Sequence, residues 1–222
     1  MNDYVLLHST GQGASGWDRV AADLRELGAT AHAIDLPNDA TLRAQDFANI
    51  LVAAFGRIEA PIVVAHSGAG PLLPAAATAL EARLQVWLAA WVPDRELTFV
   101  EDVRANLSRA FDPGWVGTNP IADDAAARHF LYHDCDDEAR DWAFTTRREF
   151  YPAGVYDERI ALNGDIPSVY IAATEDRTIL PAWQQTMARE RLGVEAITIE
   201  SGHCPNVSRP VELTRLLTRA AT

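Results

Sequence analysis

Cysteine is scarce, with Cys135 and Cys204 the only two in 222 residues. Two sulfurs make no disulfide framework in a chain of this length, and a pair of free thiols in a reducing cytoplasm is expected. No apolar run approaches the roughly 20 residues that a membrane-spanning helix needs. The first residues, Met1-Asn2-Asp3-Tyr4, lack the basic region of a signal peptide, and the apolar run at 5–7 is too short for its core. Basic residues are few, 19 Lys and Arg against 31 Asp and Glu, giving a formal charge of −12 and a pI near 4.8. Such a surface repels phosphate backbones, and no basic stripe offers a nucleic-acid footprint. Polyanionic ligands are disfavoured for the same reason.

Motifs for metals and cofactors are also missing. There is no G-x-x-x-x-G-K-[ST] phosphate loop, and Gly11 and Gly13 lack the remaining spacing of a dinucleotide fingerprint. Neither H-E-x-x-H nor C-x-x-C occurs; His129 and His133 stand four apart beside Asp134, which fits a polar surface better than a metal site. No cofactor and no metal are therefore expected. Repeats and low-complexity stretches are absent as well.

What is present is a folding composition, 48% hydrophobic and 23% charged, in a chain suited to one domain. Short apolar runs alternate with amphipathic stretches, the pattern of a mostly parallel sheet flanked by helices. Strands are expected at 4–8, 30–36, 61–66, 84–92, 167–173 and 194–200. Helices are expected at 17–27, 41–55, from the end of the third strand to about 80, at 181–191 and at 205–219. Residues 61–66 (PIVVAH) read as a central strand buried on both faces. Between 93 and 165 the rhythm gives way to clustered charges and aromatics, including Trp115, Tyr132 and Tyr151. The expected organisation is a core of 1–92 and 166–222 with a small inserted lid at 93–165.

The third strand runs directly into Ala65-His66-Ser67-Gly68-Ala69. A sharp strand-to-helix turn exposes one residue at the top of a sheet and needs small neighbours two positions away on each side, here Ala65 and Ala69. Ser67 is thus a candidate nucleophile; the alternative is a helix-capping serine. A serine hydroxyl needs a base, which should sit on a loop after the last strand. Among six histidines only His203, in Ser201-Gly202-His203-Cys204, meets that condition. His8 is expected to orient the first loop, and His66 to point away from the face that Ser67 uses. Asp176, at the end of the fifth strand, is the expected partner of the imidazole, with Glu175 and Asp94 as competitors. An oxyanion hole needs two N–H donors, expected from Gly68 and from Thr10 in the first loop.

These residues carry a resemblance. Residues 5–10 (VLLHST) with Gly13 and Trp17, 65–70 (AHSGAG), 131–136 (LYHDCD), Asp176 with Pro181, and Gly202-His203 follow one order along nearly the whole chain. In this the sequence resembles the plant methylesterase and hydroxynitrile lyase group of the α/β-hydrolase superfamily, with its bacterial esterase relatives. The resemblance implies an α/β-hydrolase fold and a small, largely apolar substrate held beneath the lid, with Ser9 and Trp115 among the residues touching it. It also implies two chemistries. Ser9 after His8 leans towards the lyases, His66 before Ser67 towards the esterases, and Cys204 stands where the lyases carry a lysine that stabilises departing cyanide. The expected function is a serine-dependent carboxylic ester hydrolase, with a lyase-like or C–C bond or cyclisation enzyme and a non-catalytic ligand-binding protein as alternatives. The expected partner is a small molecule, with no nucleic acid and no membrane, in the cytoplasm; a homodimer is the assembly left open.

Overall fold

Six apolar runs become the strands of a single sheet: β1 (Asp3–Leu7), β2 (Thr30–His32), β3 (Ile62–His66), β4 (Leu84–Leu88), β5 (Ser168–Ala173) and β6 (Ile197–Ile199). A computed structural model of the protein describes residues 2–221. The strand order is β2-β1-β3-β4-β5-β6, and every neighbouring pair is parallel. Order reverses between β1 and β3, and the crevice at the carboxyl end of such a reversal is where open α/β sheets bind ligands.

Alternation along the strands builds two apolar layers. Tyr4, Leu6, Ile62, Val64, Val86 and Leu88 face helices α1 (Asp18–Glu26) and α10 (Pro210–Ala220), through Val20, Leu24, Leu213 and Leu217. Val5, Leu7, Val63, Ala65, Trp87 and Tyr170 face α2 (Ala44–Phe55), α3 (Leu73–Ala79) and α8 (Pro181–Met187), through Phe47, Leu51, Leu73 and Trp183. All five residues of β3 are buried, as its unbroken apolar run requires of a central strand.

Residues 93–165 add no strand to the sheet. They hold α4 (Phe99–Ala110), α5 (Asp124–Ala126), α6 (Asp137–Thr145) and α7 (Ala153–Tyr156), linked to the rest by isolated bridges at Gln12–Arg147 and Phe111–Ile179. Asp102 of α4 is wholly buried; Arg191 grips it with two bonds of 2.6 and 2.9 Å, and the Trp91 indole donates to it at 2.8 Å. A third apolar cluster joins Leu131, Tyr132, Cys135 and Ala143 to Cys204 and Val207, so this segment packs on the loop of His203.

Several boundaries differ from the sequence reading. The second strand stops at His32 because, at the sheet edge, it has β1 alone to pair with. The fourth ends at Leu88, where Ala89 takes φ +41° and turns the chain; residues 89–92 are apolar because they lie buried under the Ser67 turn. The helix after Ser67 begins as a 3-10 turn (Ser67–Leu72) with Pro71 inside it. The last helix breaks into α9 (Pro205–Ser208) and α10, since the residue before Pro210 is driven out of the helical region.

Gly70 is the tightest point of this packing. A β-carbon there would lie 2.0 Å from the Trp91 carbonyl oxygen, which is backbone and cannot move aside. Gly70→Ala is expected to lower the unfolding free energy in a denaturant titration by about 3 kcal/mol or more, the upper range of overpacking. A loss under about 1 kcal/mol would show that the turn and the segment of Trp91 are not rigidly docked.

Candidate active site

Ser67 follows β3 with φ +57°, in the left-handed region that a residue with a β-carbon rarely enters. Its carbonyl accepts the Trp91 N–H at 3.1 Å, which fixes the turn from behind. Ala65 and Ala69 are fully buried, and Gly68 is pressed between two side chains: a β-carbon there would come within 2.6 Å of both Thr10 Cγ2 and the Tyr156 hydroxyl. Glycine at 68 thus serves close approach. The Tyr156 hydroxyl donates to the Gly68 carbonyl at 2.8 Å.

The structure brings Ser67, His203 and Asp176 together although 136 and 27 positions separate them along the chain. His203 Nε2 lies 2.8 Å from Ser67 Oγ, and His203 Nδ1 lies 2.7 Å from Asp176 Oδ2. All three residues are buried. Asp176 Oδ1 accepts the amides of Thr178 and Ile179 at 2.7 and 3.1 Å and the Thr178 hydroxyl at 2.8 Å. Gln184 of α8 donates to Asp176 Oδ2 at 2.8 Å, while its carbonyl oxygen accepts the Ala173 N–H at 3.0 Å. With its proton on Nδ1 held by the carboxylate, the imidazole presents a bare Nε2 to the hydroxyl.

The competitors of Asp176 lie elsewhere. Asp94 caps its own turn, accepting the amides of Glu96 and Leu97 at 2.8 and 3.1 Å. Glu175 is exposed, and its carbonyl bonds His133 Nε2 at 3.0 Å.

Two further histidines support the loops. His8 Nε2 accepts the Leu36 N–H at 2.9 Å, so Nδ1 carries the proton and donates to the Ser9 carbonyl at 3.1 Å. Burial lowers its pKa. His66 keeps the side of β3 that alternation gives it, its ring 6.2 Å from that of Trp17, and also meets the loop of His203. Its ring lies 5.2 Å from that of His203, and Nε2 donates to the His203 carbonyl at 2.8 Å. Burial, and next the neighbouring His203, bring the pKa of His66 down to about 3. His66 is therefore a neutral prop for the loop that carries the candidate base.

The first loop approaches from β1. The Thr10 carbonyl accepts the Phe150 N–H at 3.2 Å, and its side chain abuts Gly68. A cavity of about 370 Å³ opens over Ser67, lined among others by Ser9, Thr10, Gln12, Trp115, Leu131 and Cys204. Trp115 thus reaches the same cavity as Ser67 from the segment between β4 and β5. Burial holds the Cys204 thiol well above its usual range, and that of Cys135 up at about 12. No group of three or more His, Cys, Asp or Glu suited to a metal occurs among the described residues. Nor is any helix there long and apolar enough to cross a membrane.

Sequence reasoning did not find Gln184, Thr178, Tyr156 or Asp134. Thr178 had a local signal, since a threonine two residues after an aspartate can close a side-chain turn. Asp134, in the 131–136 motif, is buried and accepts the Gly202 N–H at 2.8 Å, tying that motif to the residue before His203. Gln184 and Tyr156 reach the site only through the docking of α8 and α7 and carried no signal.

No curated protein sequence matches the chain. Among solved structures, polyneuridine aldehyde esterase superposes with a TM-score of 0.85 at 17% identity, covering 100% of both chains. A methylesterase from Arabidopsis gives 0.76 at 19% identity, over 100% of this chain and 99% of that one. Tomato methylketone synthase I, complexed with β-ketoheptanoate, gives 0.75 at 22%, over 99% and 97%. At such identities the likeness is one of fold. The model of the alpha/beta hydrolase family matches residues 4–216, nearly the whole chain, and with the sheet order and the turn at Ser67 already described, the protein belongs to that family.

Proposed function

We propose that the protein is a serine-dependent carboxylic ester hydrolase that acts on a small, largely apolar ester through an acyl-enzyme. The observation that carries this reading is the continuous chain Ser67 Oγ–His203–Asp176, with links of 2.8 and 2.7 Å. Ser67 Oγ attacks the ester carbonyl as His203 Nε2 takes its proton. Asp176 holds the tautomer and stabilises the imidazolium. The tetrahedral oxyanion rests on the amides of Gly68 and Thr10, and its collapse expels the alcohol, protonated by His203. Water then attacks the acyl group with His203 as base, and the carboxylic acid product leaves.

The cavity has the size of a small-molecule site. Residues 93–165 act as its lid, and Trp115 from that segment lines the cavity together with Ser9 and Ser67. The lyase alternative, in which Ser9 holds the substrate hydroxyl, lacks a cation for a departing anion: neither lysine nor arginine lines the cavity, and the chain contains no lysine at all. His66 cannot replace His203 as base, because its protonation is pushed far below neutral pH.

A fluorophosphonate is expected to label Ser67, and Ser67→Ala to lower kcat on short p-nitrophenyl esters by about 10⁴-fold or more. Equal rates in wild type and variant would remove Ser67 as nucleophile.

Gln184→Leu leaves Asp176 one donor short. It is expected to lower kcat by about tenfold, the value of one hydrogen bond to a charged group, with KM little changed. An unaltered kcat, or a loss confined to KM, would show that Gln184 does not position the carboxylate.

His66 predicts a pH dependence of stability. Its folded pKa lies below the unfolded value, so the unfolded chain binds the extra proton and stability is lost as pH falls from about 6.5 towards 3. Between pH 7 and 4.5, wild type is expected to lose about 2–3 kcal/mol more unfolding free energy than His66→Asn. Identical losses in the two proteins would contradict a neutral, buried His66.

A further inference from the structure

The cavity over Ser67 is lined by one carboxylate, Glu149, and by no lysine or arginine. Glu149 is exposed, and no ion pair or hydrogen bond engages its carboxylate among the described residues. The arginines beside it are committed elsewhere. Arg147 bonds Asp124 at 2.7 Å and the Pro120 carbonyl at 3.2 Å, and Arg148 donates to the Leu36 carbonyl at 2.7 Å. The backbone around Glu149 is held in place. The amides of Arg148 and Phe150 bond the carbonyls of Gly11 and Thr10 at 3.4 and 3.2 Å, which ties this segment to the first loop. Phe150 is buried against His8 and Phe47 and also borders the cavity, and Glu149 and Tyr151 on either side of it line the same cavity. Two aromatic residues, Trp115 and the half-exposed Tyr151, line the same cavity.

A carboxylate that shares a cavity with aromatic side chains, and with no lysine or arginine among the described residues lining it, is the chemistry that holds an organic ammonium. It also repels an anionic ligand, including the carboxylate that ester hydrolysis releases. We propose that Glu149, with Trp115 and Tyr151, selects small esters that carry an ammonium group away from the scissile bond. This inference rests on the ester-hydrolase reading above.

Three acetate esters of similar size separate the possibilities: acetylcholine, its neutral isostere 3,3-dimethylbutyl acetate, and an acetate ester bearing a sulfonate. At low ionic strength, kcat/KM is expected to be about three- to tenfold higher for acetylcholine than for the neutral isostere, with the sulfonate ester lowest. The preference is expected to shrink at 0.5 M salt, roughly where screening shortens to a few ångströms. In Glu149→Gln the cation-to-neutral ratio falls to about one, and in Glu149→Arg the sulfonate ester overtakes acetylcholine. A ratio near one in wild type, or a ratio unchanged by Glu149→Gln, overturns the inference while Ser67-dependent turnover of the neutral ester leaves the hydrolase reading intact. Choline titrated calorimetrically into wild type and Glu149→Gln reads the same preference without turnover. Weaker binding to the variant supports the inference even if no ester is cleaved, and equal binding overturns it.

Discussion

The left-handed backbone at Ser67 places a hydroxyl above the sheet, and a residue with a β-carbon bears a cost of about 1–3 kcal/mol to stay there. Its surroundings offset that cost by leaving the chain no other path. β3 enters fully buried and paired on both edges, the Ser67 carbonyl is bonded to the Trp91 amide, and Gly70 lies against the Trp91 carbonyl without room for a β-carbon. Trp91 is itself held by the buried Asp102, which Arg191 grips from the far side of the sheet end. The geometry at the hydroxyl therefore depends on packing that extends well beyond the cavity.

His203 comes from a loop, and loops position side chains less firmly than strands do. Here the loop is fastened at successive points. Gly202 is bonded by Asp134, the His203 carbonyl by His66, and the imidazole by Asp176 and Ser67. Asp176 in turn has its oxygens filled by Thr178, Ile179 and Gln184, leaving its orientation little freedom. The neutrality of His66 matters in this arrangement, since a second cation beside an imidazolium would oppose the protonation that the proposed mechanism needs.

The sheet and the turn at Ser67 were legible in the sequence because each rests on local chemistry, and the placing of Asp176 and His203 on loops after the last two strands followed from that sheet. An unbroken β-branched run can only be a buried strand, and alanines around a serine mark a tight turn. Long-range docking left weaker marks. Residues 89–92 resemble a strand because burial under the Ser67 turn requires the same apolar residues as burial in a sheet. His66 lies on the face that alternation gives it, but its bond to the His203 carbonyl left no mark, because the loop that meets the ring comes from 137 residues along the chain. Gln184 is eight residues from Asp176, and its contact is set by how α8 lies on the sheet rather than by any pattern in the chain.

Cys204 adjoins His203 and lines the cavity, a place where a thiol could be expected to rival the serine. Its burial keeps it protonated, and the same holds for Cys135 nearby. Thiolates, not thiols, attack electrophiles. Under the proposed mechanism the pocket discriminates between two nucleophilic elements of the same column of the periodic table: oxygen would be activated by a base, while burial keeps sulfur protonated. A thiol-directed alkylating agent would then find no ready thiolate at the cavity wall, where a cysteine-dependent site would offer one.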